Sequence, residues 1–99
     1  MTSRIQVNPG LVVGFCRSYA IRRLSLFGSV LRDDFRSDSD VDVLVEFEPG
    51  REPGLIGFAE MEQEFSDLLG RKADLRTPED LSRYFRDRVI ATSEVLYVA

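Results

Sequence analysis

The chain has 99 residues, enough for one domain with one modest core, and 43% hydrophobic content excludes disorder as the default. Its net charge of −4 excludes broad, non-specific nucleic-acid binding, which needs a positive surface. With no histidine and a single cysteine, Ser-His-Asp and Cys-His catalysis, the usual zinc sites and an internal disulfide are excluded as well.

Met1 to Val7 is too short to fold alone. Asn8-Pro9 predicts a helix start, with Asn8 as the cap and Pro9 in the first turn. Leu11, Val12, Phe15, Cys16, Tyr19 and Ala20 recur at helical spacing and carry one apolar stripe to about Ile21. Cys16 falls on that stripe, so packing is its expected role. Arg22-Arg23 is read as the end of the helix. Leu24 to Phe27 is a short strand, broken by Gly28. Ser29 to Arg36 reads as a short helical turn and then a loop, and Ser37-Asp38-Ser39 is turn chemistry.

Val41 to Phe47 is the clearest strand. Val41, Val43, Val45 and Phe47 share one face, and Asp42, Leu44 and Glu46 share the other. Pro49, Gly50, Pro53 and Gly54 mark an exposed loop. Phe58, Met61, Phe65, Leu68 and Leu69 form a helical stripe closed by Gly70. Lys72 to Arg76 is a short strand. Thr77-Pro78 predicts another helix start, with Leu81, Phe85 and Val89 following at four-residue spacing. The tail Val95 to Val98 is read as an edge strand. The expected fold class is α/β (α+β): residues 1–99 as a single domain, a small mixed sheet of three to four strands flanked by helices. No apolar run approaches the length of a membrane span, and the N-terminus lacks a signal-peptide core. A soluble cytoplasmic protein with no membrane partner is the expectation.

The chemistry gathers at two places. Asp40 and Asp42 stand two residues apart at a strand start, so they project from one face. Adjacent ionised carboxylates repel, and a divalent cation between them relieves that repulsion. Gly28-Ser29 ends an earlier strand and offers a tight turn, a backbone N–H and a hydroxyl, groups suited to phosphate oxygens. Asp74 is a lone carboxylate in a strand, unfavourable unless exposed or employed. If its strand lies beside the one at Val41, three carboxylates form one cluster. Such a cluster can hold two Mg²⁺ ions about 3.5–4 Å apart. An EF-hand fails on two counts: Val43 stands where that loop needs glycine, and a strand follows.

Leu26-Phe27-Gly28-Ser29, ten residues, then Asp40-Val41-Asp42 resembles the Gly-Ser and Asp-x-Asp signature of the DNA polymerase β-type nucleotidyltransferase superfamily. The length and the Ala73-Asp74-Leu75 segment look like its minimal members, the MNT domains. The resemblance spans nearly the whole chain and implies the nucleotidyltransferase fold. It implies that Gly28 and Ser29, with Arg32, grip the triphosphate of ATP. It implies that Asp40, Asp42 and Asp74 are both catalytic and metal-binding, with two Mg²⁺ ions. Family members are often paired with an all-helical HEPN toxin, and some transfer AMP to a tyrosine of it. By analogy, this chain is expected to be the antitoxin of such a pair.

The sequence departs from the family in three places. Val30 stands where many relatives have Arg, Asp33 where many have Gly, and Ser37 where Pro is common. Val30 and Asp33 make the expected triphosphate site less positive. An alternative is therefore a binding module that neutralises its partner by covering it. A transferase for a small molecule is a third reading, though 99 residues leave little room for an acceptor pocket unless a homo-oligomer supplies one. Arg32 and Arg36 match the family pattern. They are read as phosphate or partner contacts, or as solvated loop residues pairing with Asp33, Asp34 and Asp38. Of the 13 basic residues, 12 are Arg, which fits genome composition as readily as phosphate binding. Partner surfaces are sought in the Glu48 to Leu55 loop and in Tyr84 to Tyr97. Tyr84 and Tyr97 themselves are read as edge-of-core aromatics.

Overall fold

The computed structural model describes residues 7–32, 36 and 39–99. Asp33, Asp34, Ser37 and Asp38 lie outside the described residues. Helix α1 spans Pro9–Ser18. The Asn8 side chain accepts from the Leu11 N–H at 3.2 Å, and Pro9 takes a first-turn position where no N–H is needed. The helix buries Val12, Phe15 and Cys16. Burial pushes the Cys16 thiol up to about 12, in keeping with a packing role.

The apolar stripe predicts α1 to about Ile21, but the helix stops at Ser18. Ala20 takes a left-handed φ of 54° and turns the chain. Ile21–Phe27 then forms β1, so Arg22-Arg23 lies inside a strand rather than ending a helix. Tertiary pairing overrides the local pattern: both arginines approach Glu46 on the neighbouring strand at 3.9 Å.

Val41–Phe47 forms β2, as the alternation predicts. Helix α2 spans Leu55–Leu69 and closes at Gly70, whose φ of 75° and N–H bond to the Ser66 carbonyl make a left-handed cap. Ala73–Arg76 forms β3 and Glu94–Val98 forms β4. The sheet order is β3-β2-β1-β4. β1 runs antiparallel to β2 and β4, whereas β2 and β3 are parallel. The sheet is mixed and four-stranded, and the tail is the expected edge strand. Val41, Val43 and Val45 join Leu24, Leu26, Phe15, Met61 and Phe65 in one buried cluster under α1 and α2. The rings of Phe15 and Phe65 lie 4.8 Å apart at its centre.

The segment after β3 departs from expectation. A continuous helix from Thr77 is replaced by a 3-10 turn, Pro78–Asp80, and a separate short helix α3, Arg86–Thr92. The turn closes on itself: the Thr77 N–H donates to the Asp80 carboxylate at 3.0 Å. The Arg86 guanidinium then takes the carbonyls of Pro78 and Leu81, acceptors a continuing helix would have used itself. Tyr97 packs against the core, but Tyr84 is 79% exposed and is no edge-of-core residue. Among the described residues no helix is long and apolar enough to cross a membrane.

Candidate functional site

The site forms where β1, β2 and β3 present the same end and the same face. Phe27, the last residue of β1, stands directly opposite Asp42. Gly28 follows with a φ of +76°, a conformation that L side chains rarely adopt. Space demands glycine there as well, because a Cβ would collide with Oδ2 of Asp42. The Gly28 turn is thus folded onto the Asp42 carboxylate. Ser29 comes next, half-buried, and its carbonyl accepts from the Arg32 N–H at 2.9 Å. Val30 is fully buried in the core. Its apolar side chain serves packing rather than leaving a gap in a phosphate site.

Asp74 stands beside Asp42, since the parallel β2–β3 register pairs the two residues. Parallel partners in register point to the same face, so sequence alternation and topology together bring these two carboxylates side by side. Their proximity shows in the titration of Asp42. Burial pushes its carboxyl above the ordinary range, and the charges of Asp74 and Asp40 push it further; Arg76 and Arg32 pull the other way.

Asp40 does not complete a closed triad. It is half-exposed just before β2, and Lys72 holds it at 3.8 Å. Asp74 is likewise held by Arg76 at 3.1 Å. Among the described residues no three acidic side chains are drawn close enough to hold one ion. The expected cluster is therefore a pair, Asp42 with Asp74, and a third carboxylate turned toward a lysine. The chemistry of the donors nevertheless suits Mg²⁺: all are hard carboxylate oxygens, and burial, with the charges of Asp74 and Asp40 beside it, already raises Asp42.

Several supporting groups escaped the sequence reading. Arg71 donates to the carbonyls of Arg36 and Ser39 at 2.9 and 3.0 Å, tying the residue just before Asp40 to the start of β3. The Val41 N–H donates to the Lys72 carbonyl at 2.9 Å. The outer edge of β3 is sealed by α2. The Ala73 N–H donates to the Ser66 hydroxyl, and the Leu75 N–H to the Glu62 carboxylate, both at 2.9 Å. The residue between them is Asp74. One signal was available: Arg76 is two residues beyond Asp74 in a strand, so it had to share its face.

Comparison with known proteins agrees with this fold. Residues 11–98 match the family model for the nucleotidyltransferase domain. The protein adenylyltransferase MntA of Thermococcus cleftensis is 38% identical over 80 residues, which cover 81% of this chain and 77% of that one. A toxin–antitoxin crystal structure with AMP-PNP shares the fold at a TM-score of 0.73 and 20% identity, covering 94% of this chain and 75% of that one. A tri-AMPylated Shewanella oneidensis HEPN toxin in complex with its MNT antitoxin gives a TM-score of 0.65 at 19% identity, covering 92% and 70%. Since the family model spans nearly the whole described chain and the sheet sets two carboxylates beside a glycine turn, the chain belongs to the nucleotidyltransferase domain family, as an enzyme domain of the minimal kind.

Proposed function

We propose that the protein moves AMP from ATP to a hydroxyl of a partner protein, using Mg²⁺, and serves as the antitoxin of a HEPN toxin. The observation that carries this reading is the in-register pair Asp42 and Asp74 with the Gly28 turn closed upon it. The similarity to an adenylyltransferase and to an antitoxin bound to an AMPylated toxin supports the choice of nucleotide and acceptor. A cytoplasmic location goes with that role.

Asp40, Asp42 and Asp74 are the residues that would hold Mg²⁺. When bound, the ion neutralises phosphate charge and steadies the departing pyrophosphate. The chain's own groups do the rest. Gly28 and Ser29 present backbone N–H groups and a hydroxyl to the β- and γ-phosphates, with Arg32 alongside. The acceptor oxygen attacks the α-phosphorus, the bond to the β-phosphate bridging oxygen breaks, and pyrophosphate leaves. Asp74 takes the acceptor's proton once Arg76 yields its hydrogen bond. Labelled ATP, Mg²⁺ and the product of the neighbouring gene test the reading. Label should appear on the partner and vanish with Asp42→Ala; absence of transfer by the native protein rejects it.

One observation favours a second reading, neutralisation by complex formation alone. Asp40 and Asp74 already have cationic partners in Lys72 and Arg76. If the doubly substituted Asp40→Ala/Asp42→Ala protein still neutralises its partner in cells, this reading gains. If the complex forms without neutralisation, it is lost.

A further inference from the structure

Tyr84 and Phe85 are exposed by 79% and 59%, although aromatic side chains of this size normally bury most of their area. The backbone that carries them is well tied. The Phe85 and Arg86 N–H groups both donate to the Ser82 carbonyl, at 3.0 and 2.9 Å, and the Tyr84 N–H donates to the Ser82 hydroxyl at 3.3 Å. The partly buried Arg86 guanidinium takes the Pro78 and Leu81 carbonyls. The Phe85 carbonyl accepts from the Val89 N–H at 2.9 Å and so starts α3. Arg83 lies over the Tyr84 ring, its Cζ 5.2 Å from the ring centre. The turn therefore holds both rings in water in a fixed geometry, and the core gains little from either.

This turn belongs to the side of the sheet that carries the carboxylates. Before it, Pro78 and Glu79 stand beside Glu46; after it, Val89 and Thr92 stand beside Phe27. Glu46 and Phe27 share the Asp42 side of the sheet, the first by alternation along β2 and the second by direct pairing. The segment thus crosses that side from one end to the other, and the two rings are its most exposed large apolar groups. A protein seated on them is held on the same side of the sheet as Asp42 and Asp74.

We infer that Tyr84 and Phe85, flanked by Arg83 and Arg88, are the anchor on which the acceptor protein docks, and that they fit an apolar centre ringed by carboxylates. The inference rests on the transfer reading above and adds where the acceptor is held. Tyr and Arg are among the residue types that most often carry binding energy at interfaces. Two rings at this exposure present on the order of 300 Å² of the roughly 800 Å² that one partner gives to a standard interface. Charge selects the occupant. The chain as a whole carries −4, but from Arg83 to Arg88 three arginines stand against Asp87 alone. A second copy meeting this patch with its own would set arginine against arginine. Nucleic acid would meet a chain of net negative charge, with Glu79, Asp80 and Asp87 along the same segment. An acidic protein face meets neither objection, and its carboxylates pair with Arg83 and Arg88 at the rim.

Calorimetric titration of the native chain with the product of the neighbouring gene gives the reference affinity. Tyr84→Ala and Phe85→Ala, singly and together, and Arg83→Glu are compared with it, each checked for native circular dichroism. All three side chains are exposed, so the core is untouched. The expected result is binding weakened about 30-fold or more in the double variant, the scale of an interface hot spot. Arg83→Glu should weaken binding most at low salt. In transfer assays the KM for the partner should rise and the KM for ATP stay unchanged. Leu55→Ala/Ile56→Ala, at another exposed apolar pair, should bind as the native chain does. Native affinity in the Tyr84→Ala/Phe85→Ala protein overturns the docking surface, and a loss confined to the Leu55→Ala/Ile56→Ala protein moves it there. A native dimer in sedimentation, or retention of a single-stranded RNA oligonucleotide, that the double variant abolishes at native partner affinity also overturns it, in favour of a second copy or nucleic acid. A native chain that does not bind the partner overturns it too. Partner binding that the double variant loses, with no AMP transfer by the native chain, upholds the docking surface and rejects the transfer reading alone.

Discussion

On the side of the sheet covered by α1 and α2, Leu24, Leu26, Val41, Val43 and Val45 are sealed from solvent. On the other side the same strands present Phe27, Asp42, Glu46, Asp74 and Arg76 beside the buried Ser25 and Leu44, and the charged groups there are partly exposed. One side lowers free energy by burying apolar surface. The opposite side holds like charges close together, which raises it. Stability and chemistry are thus weighted to opposite sides of one sheet, and substitutions on the two sides should fail in different ways.

The largest effect on stability is expected at Phe65, which is fully buried against Phe15. Phe65→Ala should cost about 3–5 kcal/mol in urea unfolding. The folded fraction should keep its nucleotide affinity. A loss below about 1 kcal/mol would mean that the covered side is not the main source of stability.

Gly28→Ala strikes the boundary between the two. It forces a side chain into φ +76° and drives a Cβ into Asp42. Destabilisation of about 1–3 kcal/mol is expected, together with loss of transfer in the folded protein. If transfer survives in the variant, the contact between the Gly28 turn and Asp42 is irrelevant to function.

These two positions differ in how legible they were. Phe65 announced itself through helical spacing, and the β2 face through strict alternation, because burial imposes a period on the sequence. Gly28 and Asp42 were legible as a motif, though their mutual contact was not. The lysine beside Asp40 and the groups that hold the backbone around the carboxylates were the hidden part. Lys72, Arg71 and Glu62 act across a parallel pair and a helix-to-edge contact, and no sequence period encodes such a meeting. The split after Thr77 was hidden for a related reason. Four-residue spacing at Leu81, Phe85 and Val89 mimics a helix, but Phe85 is 59% exposed and the Arg86 guanidinium takes the carbonyls instead.

A smaller effect is expected at the edge of β3. Glu62→Ala removes the acceptor for the Leu75 N–H. With water able to replace part of the bond, the cost should be about 1 kcal/mol. Hydrogen exchange at Leu75 should accelerate, and Mg²⁺ affinity should fall because Asp74 is less firmly placed. Unchanged exchange at Leu75 would show that α2 does not seal this edge.

The smallest effect carries the clearest sign. Asp42 titrates above the ordinary carboxylate range, chiefly because burial disfavours its charge, and then because Asp74 and Asp40 repel it. The folded state therefore holds this proton more tightly than the unfolded chain, whose value is about 3.9. The associated stability is fully present below that unfolded value and is lost as pH rises through the raised folded one. In EDTA at pH 7, Asp42→Asn should thus be more stable than the native protein, by less than about 1 kcal/mol given its partial exposure. The gain should shrink to nothing near pH 3, where the native carboxyl is protonated in both states. Saturating Mg²⁺ should reverse the order, because the ion stabilises only the protein that retains its carboxylate. Urea midpoints of the two proteins at pH 3 and 7, with EDTA and with Mg²⁺, give all four comparisons. A variant less stable than native in EDTA at pH 7 would mean that the Asp42 charge is satisfied by the fold itself, and the charged side of the sheet would then be structure rather than a site waiting for a cation.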